Sequence, residues 1–550
     1  MKIRKIAGLS IMGLLLLGLF TWQIDPAQSD VATLHAPIVG SPVTPKLSQP
    51  VRTLPAVTPV TEDCTRTRVM PFEPVAPVPH RPSAATLRLS EPAPGLSPGL
   101  ILSRDGISFT NSACIWPPDT TGDVGLTHYV QAVNGTFKIF DKQLNALTGA
   151  IVLNALWQGS GGQCEQLEMT DPIIGYDPQA NRWIVMHIAF DFSKDTQRTP
   201  LCIAVSTSPD PTERFHLYEF FITLTNIPDY PKLGMWRDGY YVGYNEVGGD
   251  KISAVVFDRQ RMIDGQAASY IKFTNVAERF VMPSDLDGWN PAPPGTPNYF
   301  YTFVSNSGAT STFDGIQLYA FHADFDNPTA STFSLDHTLA LGAFELMSSR
   351  ITQPTTPDYP SGLLDALGDY PMQRLVYRNL GTHASLAGNF TIDVGNATAG
   401  IRWFELRQTP GATWDLYQEG AQSPDYNHRW LGSLALDRQG NLALGYSVSG
   451  SSLNPSIRYA ARSVSDPLGL LRSEAKLITG RGVAQQISPL APESRWGDYS
   501  TMVIDPADDC TFWYTNEYFP VNAKYAWFTH IGTFRMPTCV SPTYFPIIFK

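Results

Sequence analysis

The stretch RWGDYSTMVIDPADDCTFWYTNEY, residues 495–518, contains the pattern that decides the fold. Residues 499–504 are rich in apolar and β-prone side chains, and residues 510–514 are β-branched or aromatic. Between these two runs, Asp505-Pro-Ala-Asp-Asp509 has the composition of a tight turn. The stretch therefore predicts two antiparallel strands joined by a turn.

The same layout recurs upstream at a spacing of about 50 to 85 residues. Each copy has a polar or aromatic opener, an apolar strand, an Asp-containing turn and a second strand, usually followed by two outer strands. No helical period persists in the folded part, and a chain of β-sandwiches would not produce so long a repeat. The sequence predicts an all-β fold, a β-propeller with seven four-stranded blades, with six or eight blades as the alternatives.

The composition agrees with many short strands and tight turns. Of the 550 residues, 16% are charged and 11% are aromatic, with 43 Gly and 45 Pro. The net charge is −11 and the sequence contains no basic block. Nucleic acid is therefore not an expected partner.

The N-terminal hundred residues predict export. A basic start (residues 1–5) precedes an apolar run (6–22) and small residues that suit cleavage, which predicts a signal peptide over 1–29. An uncleaved anchor is the alternative, and it would be the protein's only membrane contact. Residues 30–100 are rich in proline and predict a largely disordered spacer. We expect a monomer, secreted or at the cell surface, with a propeller domain at 101–540 and a short tail at 541–550.

The six cysteines predict disulfides, because their number is even and an export signal precedes them. The preferred pairs are Cys510–Cys539, on neighbouring predicted strands, and Cys164–Cys202, on either side of the second repeat. Cys64–Cys114 would then be the third pair, although other connectivities stay open. The absence of a Cys-x-x-Cys pair argues against a zinc site.

The openers of the repeats are the candidate binding residues. In a propeller, the innermost strands begin at the mouth of the central channel, so residues far apart in sequence converge there. The candidates are Asp123, Asp171, Asp229, Asp369, Arg429 and Arg495, with Asp285 or Asp287 in the fourth repeat. Carboxylates and guanidinium groups around one mouth suit a cation, a sugar or a polar peptide. The alternative is that these residues only tie neighbouring blades together, by accepting hydrogen bonds from backbone N–H groups.

Three carboxylates are candidates for catalysis. A glycosidase needs two such groups on either side of the scissile bond. Glu246 and Glu517 each end the second strand of a repeat in an Asn-Glu pair, and Asp498 lies beside the last opener. Equivalent placement is also what a structural repeat produces.

The sequence contains no complete motif for a cofactor or a metal site. Oxygen-rich loops at residues 284–288, 322–326 and 505–509 make calcium the candidate cation. None of these loops has the full calcium-loop pattern, so ordinary solvated turns are the simpler interpretation.

Several segments resemble uncharacterised secreted bacterial β-propeller proteins. They include PPDTTGDVG (117–125), YDPQANRW (176–183), CIAVSTSPDP (202–211) and DYPKLG (229–234). The resemblance covers about 115–540 and implies the fold and secretion, but no activity. A more distant similarity is to sialidase-like propellers, whose Ser-x-Asp-x-Gly-x-Thr-Trp box this chain lacks. A site of that kind would need an arginine cluster, for which Arg374, Arg429 and Arg495 are the candidates.

Taken together, these features predict an exported propeller that binds an extracellular polysaccharide or protein at the channel mouth without catalysis. The alternative is a carbohydrate-active glycoside hydrolase, sialidase-like, with a carboxylate and arginine site at the same mouth.

Overall fold

The computed structural model describes residues 36–59, 89–112, 114–191, 198–223, 225–247, 251–306, 313–348, 350–357, 363–485, 495–522 and 526–540, with the backbone of 68–69. The predicted signal peptide, the C-terminal tail and Cys64 lie outside these residues. In the part of the chain that is described, no helix is long and apolar enough to cross a membrane.

The fold is built from antiparallel meanders, in which strands that are consecutive in each sheet are hydrogen-bonded neighbours. The first three are numbered in chain order. Meander 1 comprises Thr121–Val124, His128–Val133, Thr136–Asp141 and Ile151–Val152. Meander 2 comprises Glu168–Asp177, Arg182–Phe190, Leu201–Ser206 and Phe215–Phe220. Meander 3 comprises Ile227–Met235, Gly239–Val247, Lys251–Asp258 and Tyr270–Thr274.

Four further meanders follow. Meander 4 comprises Met282–Asp287, Asn298–Val304, Gly315–His322 and Thr332–Ala340, and meander 5 comprises Pro371–Asn379, Ala384–Asp393, Ala399–Gln408 and Asp415–Gln422. Meander 6 comprises His428–Leu436, Leu442–Gly450, Leu453–Arg462 and Ala475–Ile478. Meander 7 comprises Thr501–Ile504, Thr511–Tyr518 and Phe528–Arg535, with Leu100–Ser108 as its fourth strand.

The remaining elements are short. Glu345–Leu346 pairs with the second strand of meander 5, Arg68–Val69 pairs with Ile115–Trp116, and Ala93–Leu96 pairs with Arg472–Ser473. The described α-helices are Gln163–Gln166 and Arg259–Ile263, and the described 3₁₀ turns are Val51–Thr53, Phe109–Asn111, Leu153–Trp157 and Pro328–Ala330. The prediction of an all-β protein of the propeller type is confirmed, whereas seven blades in one ring stays a prediction.

The first, or inner, strands of successive meanders are joined by specific hydrogen bonds. The backbone N–H of Tyr176 in meander 2 donates to Asp123 of meander 1 (2.7 Å), and that of Met235 in meander 3 donates to Asp285 of meander 4 (2.9 Å). Meanders 4 and 5 are joined by parallel pairing of their inner strands. Asp123 and Asp285 therefore have the role that the alternative interpretation of the openers predicts, which is to tie neighbouring sheets together.

Four inner strands share an irregularity. The pairing register shifts between Thr170 and Ile173, between Asp229 and Lys232, between Met372 and Val376, and between Trp430 and Ser433. In three of the four, a residue at the shift has a positive φ: Asp171 (51°), Tyr230 (53°) and Leu431 (51°). A β-bulge of this kind bends the strand and changes the direction in which a side chain points.

Aromatic side chains fill the space between the sheets. Trp430 and Trp496 are fully buried, and their ring centroids lie 5.5 Å apart. This contact joins the inner strand of meander 6 to the segment before meander 7. The two tryptophans therefore pack in the space between neighbouring sheets.

The described part of the N-terminal segment is bound to the outer edges of the sheets. Ile38–Val39 pairs with the last strand of meander 3, Lys46–Leu47 pairs with the last strand of meander 2, and Ala56 forms a bridge to Ile151 of meander 1. Val51 and Leu54 are buried in the apolar core of meanders 1 and 2. Over these residues the structure differs from the expected disordered spacer, because edge strands supply the backbone partners that a proline-rich segment needs.

Two of the expected disulfides are present. Cys164 is bonded to Cys202, and Cys510 is bonded to Cys539. Cys114 is also disulfide-bonded, and its predicted partner Cys64 lies outside the described residues. Because Cys539 follows the third strand of meander 7, the second bond holds the end of that strand to the turn before Thr511.

Val51→Ala tests whether the N-terminal segment contributes to stability. Val51 is fully buried, so the loss of two methyl groups should lower the free energy of unfolding by about 2 kcal/mol. Chemical denaturation measures this value. Val39→Ala, on the same segment but 45% exposed, is the control and should change it by less than about 0.5 kcal/mol. Equal stabilities for the two variants would mean that the segment is not anchored through Val51.

Candidate functional site

An acidic cluster lies at the starts of the inner strands. Its carboxyl groups come from five meanders or the segments that precede them, and it contains two cations. The members are Asp119, Asp171, Asp229, Asp365, Asp369, Asp498, Glu517, Lys232 and Arg495. Because these residues act electrostatically on one another, the inner-strand starts do converge, as the sequence predicts.

Arg495 and Asp498 form the ion pair of the cluster. Arg495 Nη2 lies 2.7 Å from Asp498 Oδ2, and the Asp498 side chain keeps 14% of its surface exposed. The backbone N–H of Asp498 donates to Asp119 Oδ1 (2.7 Å), and Asn134 donates to the other oxygen of Asp119 (2.7 Å). Asp498 Oδ1 is buried and has no hydrogen-bond partner among the described residues. One oxygen of this carboxylate is therefore fixed by arginine, and the other keeps unused capacity to accept a hydrogen bond.

Glu517 reaches the cluster from the neighbouring strand of meander 7. Its Oε1 accepts a hydrogen bond from the backbone N–H of Gly497. A Cβ atom on residue 497 would lie 2.8 Å from that same oxygen, so glycine is required for this approach. Glu517 is only 2% exposed. It supports the turn that carries Asp498 and is not in contact with solvent.

The bulge of meander 2 directs Asp171 into the cluster. Its carboxyl group accepts hydrogen bonds from the hydroxyls of Thr170 (2.6 Å) and Tyr499 (2.6 Å). Its backbone N–H donates to Asn134 (2.8 Å). Tyr499 belongs to the segment before meander 7, so this contact connects two sheets across the cluster.

Lys232 is the second cation and is fully buried. Its Nζ lies 3.0 Å from the ring centroid of Tyr499 and 3.5 Å from that of Tyr230. The two rings stack on each other, with their centroids 5.5 Å apart. Lys232 Nζ has no hydrogen-bond partner within the described ranges. It therefore acts on the carboxyl groups only at a distance, and the two rings stabilise its charged form through cation–π contacts.

The carboxyl groups of the cluster hold their protons more strongly than usual. Burial, with repulsion from Asp171 and Asp498, raises the pKa of Asp229 to about 7. Burial also raises the pKa of Asp498 to about 6, although Arg495 opposes the shift. The pKa of Asp369 rises to about 6 and that of Glu517 to about 8, mainly through burial.

Lys232 and Asp119 respond to the same environment. Burial lowers the pKa of Lys232 to about 7, although the neighbouring carboxyl groups favour its charged form. Burial and the charges of Asp498 and Asp171 raise the pKa of Asp119 well above its usual range. Several groups of the cluster therefore change their charge between about pH 6 and pH 8, where most proteins titrate only histidine.

A separate network lies at the other ends of the inner strands. Arg374 is paired with Asp285 (2.7 Å) and Asp287 (2.5 Å), and it donates to the carbonyl oxygen of Met502 (3.1 Å). Asp123 lies beside it and accepts from the backbone N–H groups of Tyr176 and Val124 (both 2.7 Å). The pocket at this network holds only about 20 Å³. That is about one water molecule, so the arrangement links sheets and leaves no room for a ligand.

The remaining predicted residues lie elsewhere. Arg429 is fully buried and is paired with Asp425 (2.5 Å) and Glu474 (2.9 Å) in meander 6 and the loop before it. Glu246 is paired with Lys272 (3.2 Å) and accepts from Ser253 (2.7 Å) within meander 3. Of the predicted binding residues, the structure therefore brings Asp171, Asp229, Asp369 and Arg495 together, with Asp498 and Glu517 from the catalytic candidates.

Sequence reasoning missed the cluster members that do not open a repeat. Lys232 is the clearest example, because a lysine inside a predicted inner strand is a signal that can be read from the sequence. Tyr499 and Asp119 carry no such signal, since their positions depend on how the segments before meanders 7 and 1 fold. No three or more Asp, Glu, His or Cys side chains of the described residues are arranged to hold a metal ion. Calcium stays a prediction from the sequence.

No family model matches the sequence, and no curated protein matches it. Among solved structures, the chain is similar to an exo-1,5-α-L-arabinanase from a bovine ruminal metagenomic library, with 9% sequence identity and a TM-score of 0.28. The match covers 65% of this chain and 97% of the arabinanase. An α-L-arabinofuranosidase from Fusarium graminearum has 7% identity, coverage of 83% and 99%, and a TM-score of 0.30.

The WD40 domain of SCAP from fission yeast has 9% identity, coverage of 78% of this chain and 98% of that one, and a TM-score of 0.32. These three structures differ in function, and their likeness to this chain is too low to transfer an activity. The resemblance to sialidase-like propellers stays a prediction.

Glu517→Gln tests the electrostatics of the cluster. The pKa of Glu517 is raised from its usual value to about 8 in the folded protein. Protonation of Glu517 therefore contributes its full stabilisation of the folded state below about pH 4.5, and this contribution is lost as the pH rises through 8. Glutamine keeps the acceptor for Gly497 but cannot ionise. Between pH 5 and pH 8, the free energy of unfolding of the variant should therefore fall less than that of the wild type, by on the order of 3 kcal/mol.

Urea denaturation at a series of pH values measures this difference. Glu91→Gln, at an exposed position, is the matched control and should leave the pH dependence unchanged. Parallel curves for wild type and Glu517→Gln would show that Glu517 is already ionised in the folded protein at pH 5.

Proposed function

We propose that the protein is a glycoside hydrolase whose active site is the acidic cluster, with Asp229 as the general acid and Asp498 as its ionised partner. One observation carries the proposal. Asp229, in meander 3, and Asp498, in the segment before meander 7, keep part of their surface exposed and repel each other electrostatically, and Arg495 is paired with Asp498. Hydrolysis of a glycosidic bond needs two carboxyl groups of this kind in opposite protonation states.

The proposed roles follow from the environments of the two groups. The pKa of Asp229 is about 7, and that of Asp498 is about 6. Between these values, Asp229 is mostly protonated and can donate to the leaving oxygen. Asp498 is mostly ionised, because Arg495 stabilises its negative charge, and it can act as base or nucleophile. If the two roles were exchanged, Asp229 would have to ionise at a lower pH than Asp498, although only Asp498 is paired with Arg495.

The proposed fold is a closed seven-bladed propeller, in which the seven meanders are the blades. The bonds between inner strands support a ring that returns to its start. Arg378 of meander 5 donates to the carbonyl oxygen of Leu436 in meander 6 (2.8 Å), and Met502 N of meander 7 donates to Ser433 Oγ of meander 6 (2.8 Å). The backbone N–H of Asp498, which precedes meander 7, donates to Asp119, which precedes meander 1 (2.7 Å).

The proposed substrate is a neutral polysaccharide outside the cytoplasm. Carboxyl groups outnumber cations in the cluster, and Arg495 and Lys232 are already engaged by Asp498 and by two tyrosine rings. An anionic sugar would therefore be repelled once Asp498 has ionised. The disulfides agree with an oxidising compartment. The proposed form is a monomer, with no nucleic acid partner.

Binding without catalysis is the second candidate function. Tyr230, Tyr370 and Tyr499 pack against one another beside the cluster, with the Tyr230 centroid 4.7 Å from that of Tyr370. Glu517 and Asp119 are occupied by backbone N–H groups. These contacts favour a rigid mouth that recognises a polysaccharide or protein and leaves it intact. The two candidates differ in one measurable property, which is the release of new reducing ends from a bound glycan.

Asp498→Asn tests the hydrolase proposal. The amide keeps the shape of the side chain but cannot act as base or nucleophile, so kcat on a cleaved polysaccharide should fall at least 100-fold while KM changes little. Reducing-end release from a panel of neutral polysaccharides measures both constants. Asp415→Asn, at an exposed position of meander 5, is the matched control and should retain full activity. If the wild-type protein binds a glycan of the panel but releases no reducing ends, the non-catalytic candidate replaces the hydrolase.

The pH dependence tests the assignment of the two roles. Activity should rise through about pH 6, as Asp498 ionises, and fall through about pH 7, as Asp229 loses its proton. Asp229→Asn should remove the falling limb. It should also impair an aryl glycoside with a good leaving group much less than a natural polysaccharide, because only the natural leaving group needs a proton. Equal losses on both substrates would contradict the role of Asp229 as the acid.

A further inference from the structure

A second pocket lies away from the acidic cluster, where three segments of the chain meet. It holds about 300 Å³ and is lined by the N-terminal segment at Ser90, by the loop after meander 5 and by meander 6. The charged and polar side chains that matter for a ligand are Gln422, Asp425, Arg458, Glu474 and Lys476. This volume is at the lower end of the range for small-molecule sites and suits one sugar-sized ligand.

Two cations of the pocket face the same way. Arg458 and Lys476 are direct partners on adjacent strands of meander 6, so their side chains leave the same face of the sheet. Like charges in this arrangement destabilise a sheet unless an anion lies between them. Lys476 is exposed and has no ion-pair partner in the described part of the chain. The pair is therefore an arrangement that a bound anion would stabilise.

The carboxylates of the pocket are already engaged by another residue. Arg429, fully buried beneath the pocket, is paired with Asp425 (2.5 Å) and with both oxygens of Glu474 (3.0 and 2.9 Å). Arg458 has to share Glu474 with it (2.9 Å). Arg472, also in the lining, is neutralised separately by Asp466 (2.7 Å). Arg429, Arg458 and Lys476 together carry one positive charge more than Asp425 and Glu474 can balance.

The rest of the lining provides hydrogen-bond acceptors. The Asp425 side chain is 43% exposed, so one side of it is open to the pocket. The side-chain oxygen of Gln422 is a further acceptor, and the nitrogen of Gln422 is held by Tyr446 (2.9 Å). Ser90 Oγ already accepts from the backbone N–H of Ser423 (2.9 Å) and offers its hydroxyl hydrogen as a donor. Acceptors beside an excess cation match a ligand that carries both hydroxyl groups and one carboxylate.

We infer that this pocket binds a carboxylate-bearing sugar unit, such as a uronic acid residue, with its carboxylate between Arg458 and Lys476. This is a site distinct from the acidic cluster, and it does not depend on the proposed hydrolysis. It takes the anionic sugar that the cluster would repel. A peptide carboxylate is the competing ligand, and the experiment separates the two.

The test is titration of the full-length protein with D-glucuronate and D-galacturonate, followed by calorimetry and by saturation-transfer NMR. At least one uronate should bind at least ten-fold more tightly than either glucose, which lacks the carboxylate, or acetate, which lacks the hydroxyl groups. Affinity should fall at least two-fold when the salt concentration is raised from 50 to 300 mM, because the contact is ionic. Comparable affinity for acetate, or for a short acidic peptide, would overturn the assignment to a sugar.

Lys476→Ala should weaken uronate binding about five-fold or more, and Arg458→Gln should weaken it further. Lys251→Ala is the matched control, since Lys251 is also an exposed strand lysine but belongs to meander 3. Lys476 is exposed and unpaired, so its variant should fold as the wild type does, which thermal unfolding checks. Unchanged affinity in both pocket variants would overturn the proposal. Asp498→Asn should leave uronate binding intact, so failure here and failure of the hydrolase proposal are distinguishable.

Discussion

The burial of more carboxyl groups than cations at the starts of the inner strands is the constraint on which the rest of the site depends. Each ionised carboxylate loses hydration on burial, and each additional one repels the others. The molecule meets this cost in three ways. Arg495 is paired directly with Asp498, Lys232 is enclosed by two tyrosine rings, and burial with repulsion from neighbouring carboxyl groups raises the pKa values of Asp119 and Asp229, which favours their uncharged forms.

The β-bulges make this cluster geometrically feasible. A regular inner strand would place successive side chains alternately on its two faces. At the bulges of meanders 2 and 3, Asp171 and Tyr230 adopt positive φ values that non-glycine residues seldom take, and the register shifts next to them. Such conformations cost on the order of 1–3 kcal/mol each and persist only where the surroundings over-determine them. Here the surroundings are the hydrogen bond from Tyr499 to Asp171 and the packing of Tyr230 on Tyr499. Strain and charge are therefore concentrated in the same few residues.

The sequence was sufficient for the repeat, because the layout of strand, Asp-containing turn and strand is local. The turn at Asp505–Asp509 and its two strands lie where the composition of residues 495–518 places them. The sequence was also sufficient for the convergence of Asp171, Asp229, Asp369 and Arg495. It was not sufficient to separate the two ends of the inner strands, since a difference of three or four residues along a strand decides which end a side chain reaches. Asp123 and Asp285 reach the Arg374 network for that reason. Arg429 does not join the cluster, because it is paired with Glu474 in meander 6. That partner lies 45 residues away in the sequence, so the pairing could not be read from the local pattern.

The two ends of the inner strands solve the same electrostatic problem in different ways, and the difference indicates where chemistry belongs. Around Arg374, ion pairs at 2.7 and 2.5 Å hold Asp285 and Asp287, and burial raises the pKa of Asp123 to about 8, although two backbone N–H groups donate to it. The space that remains suits one water molecule, so a substrate has no room beside these carboxyl groups. In the acidic cluster, Arg495 is paired with Asp498, Lys232 is held by aromatic rings, and Asp229 and Asp498 keep part of their surface exposed. Partly exposed carboxyl groups can exchange protons with a substrate, whereas enclosed ones cannot. The proposed hydrolase site therefore lies at one end of these strands, and the contacts at the other end hold the sheets together.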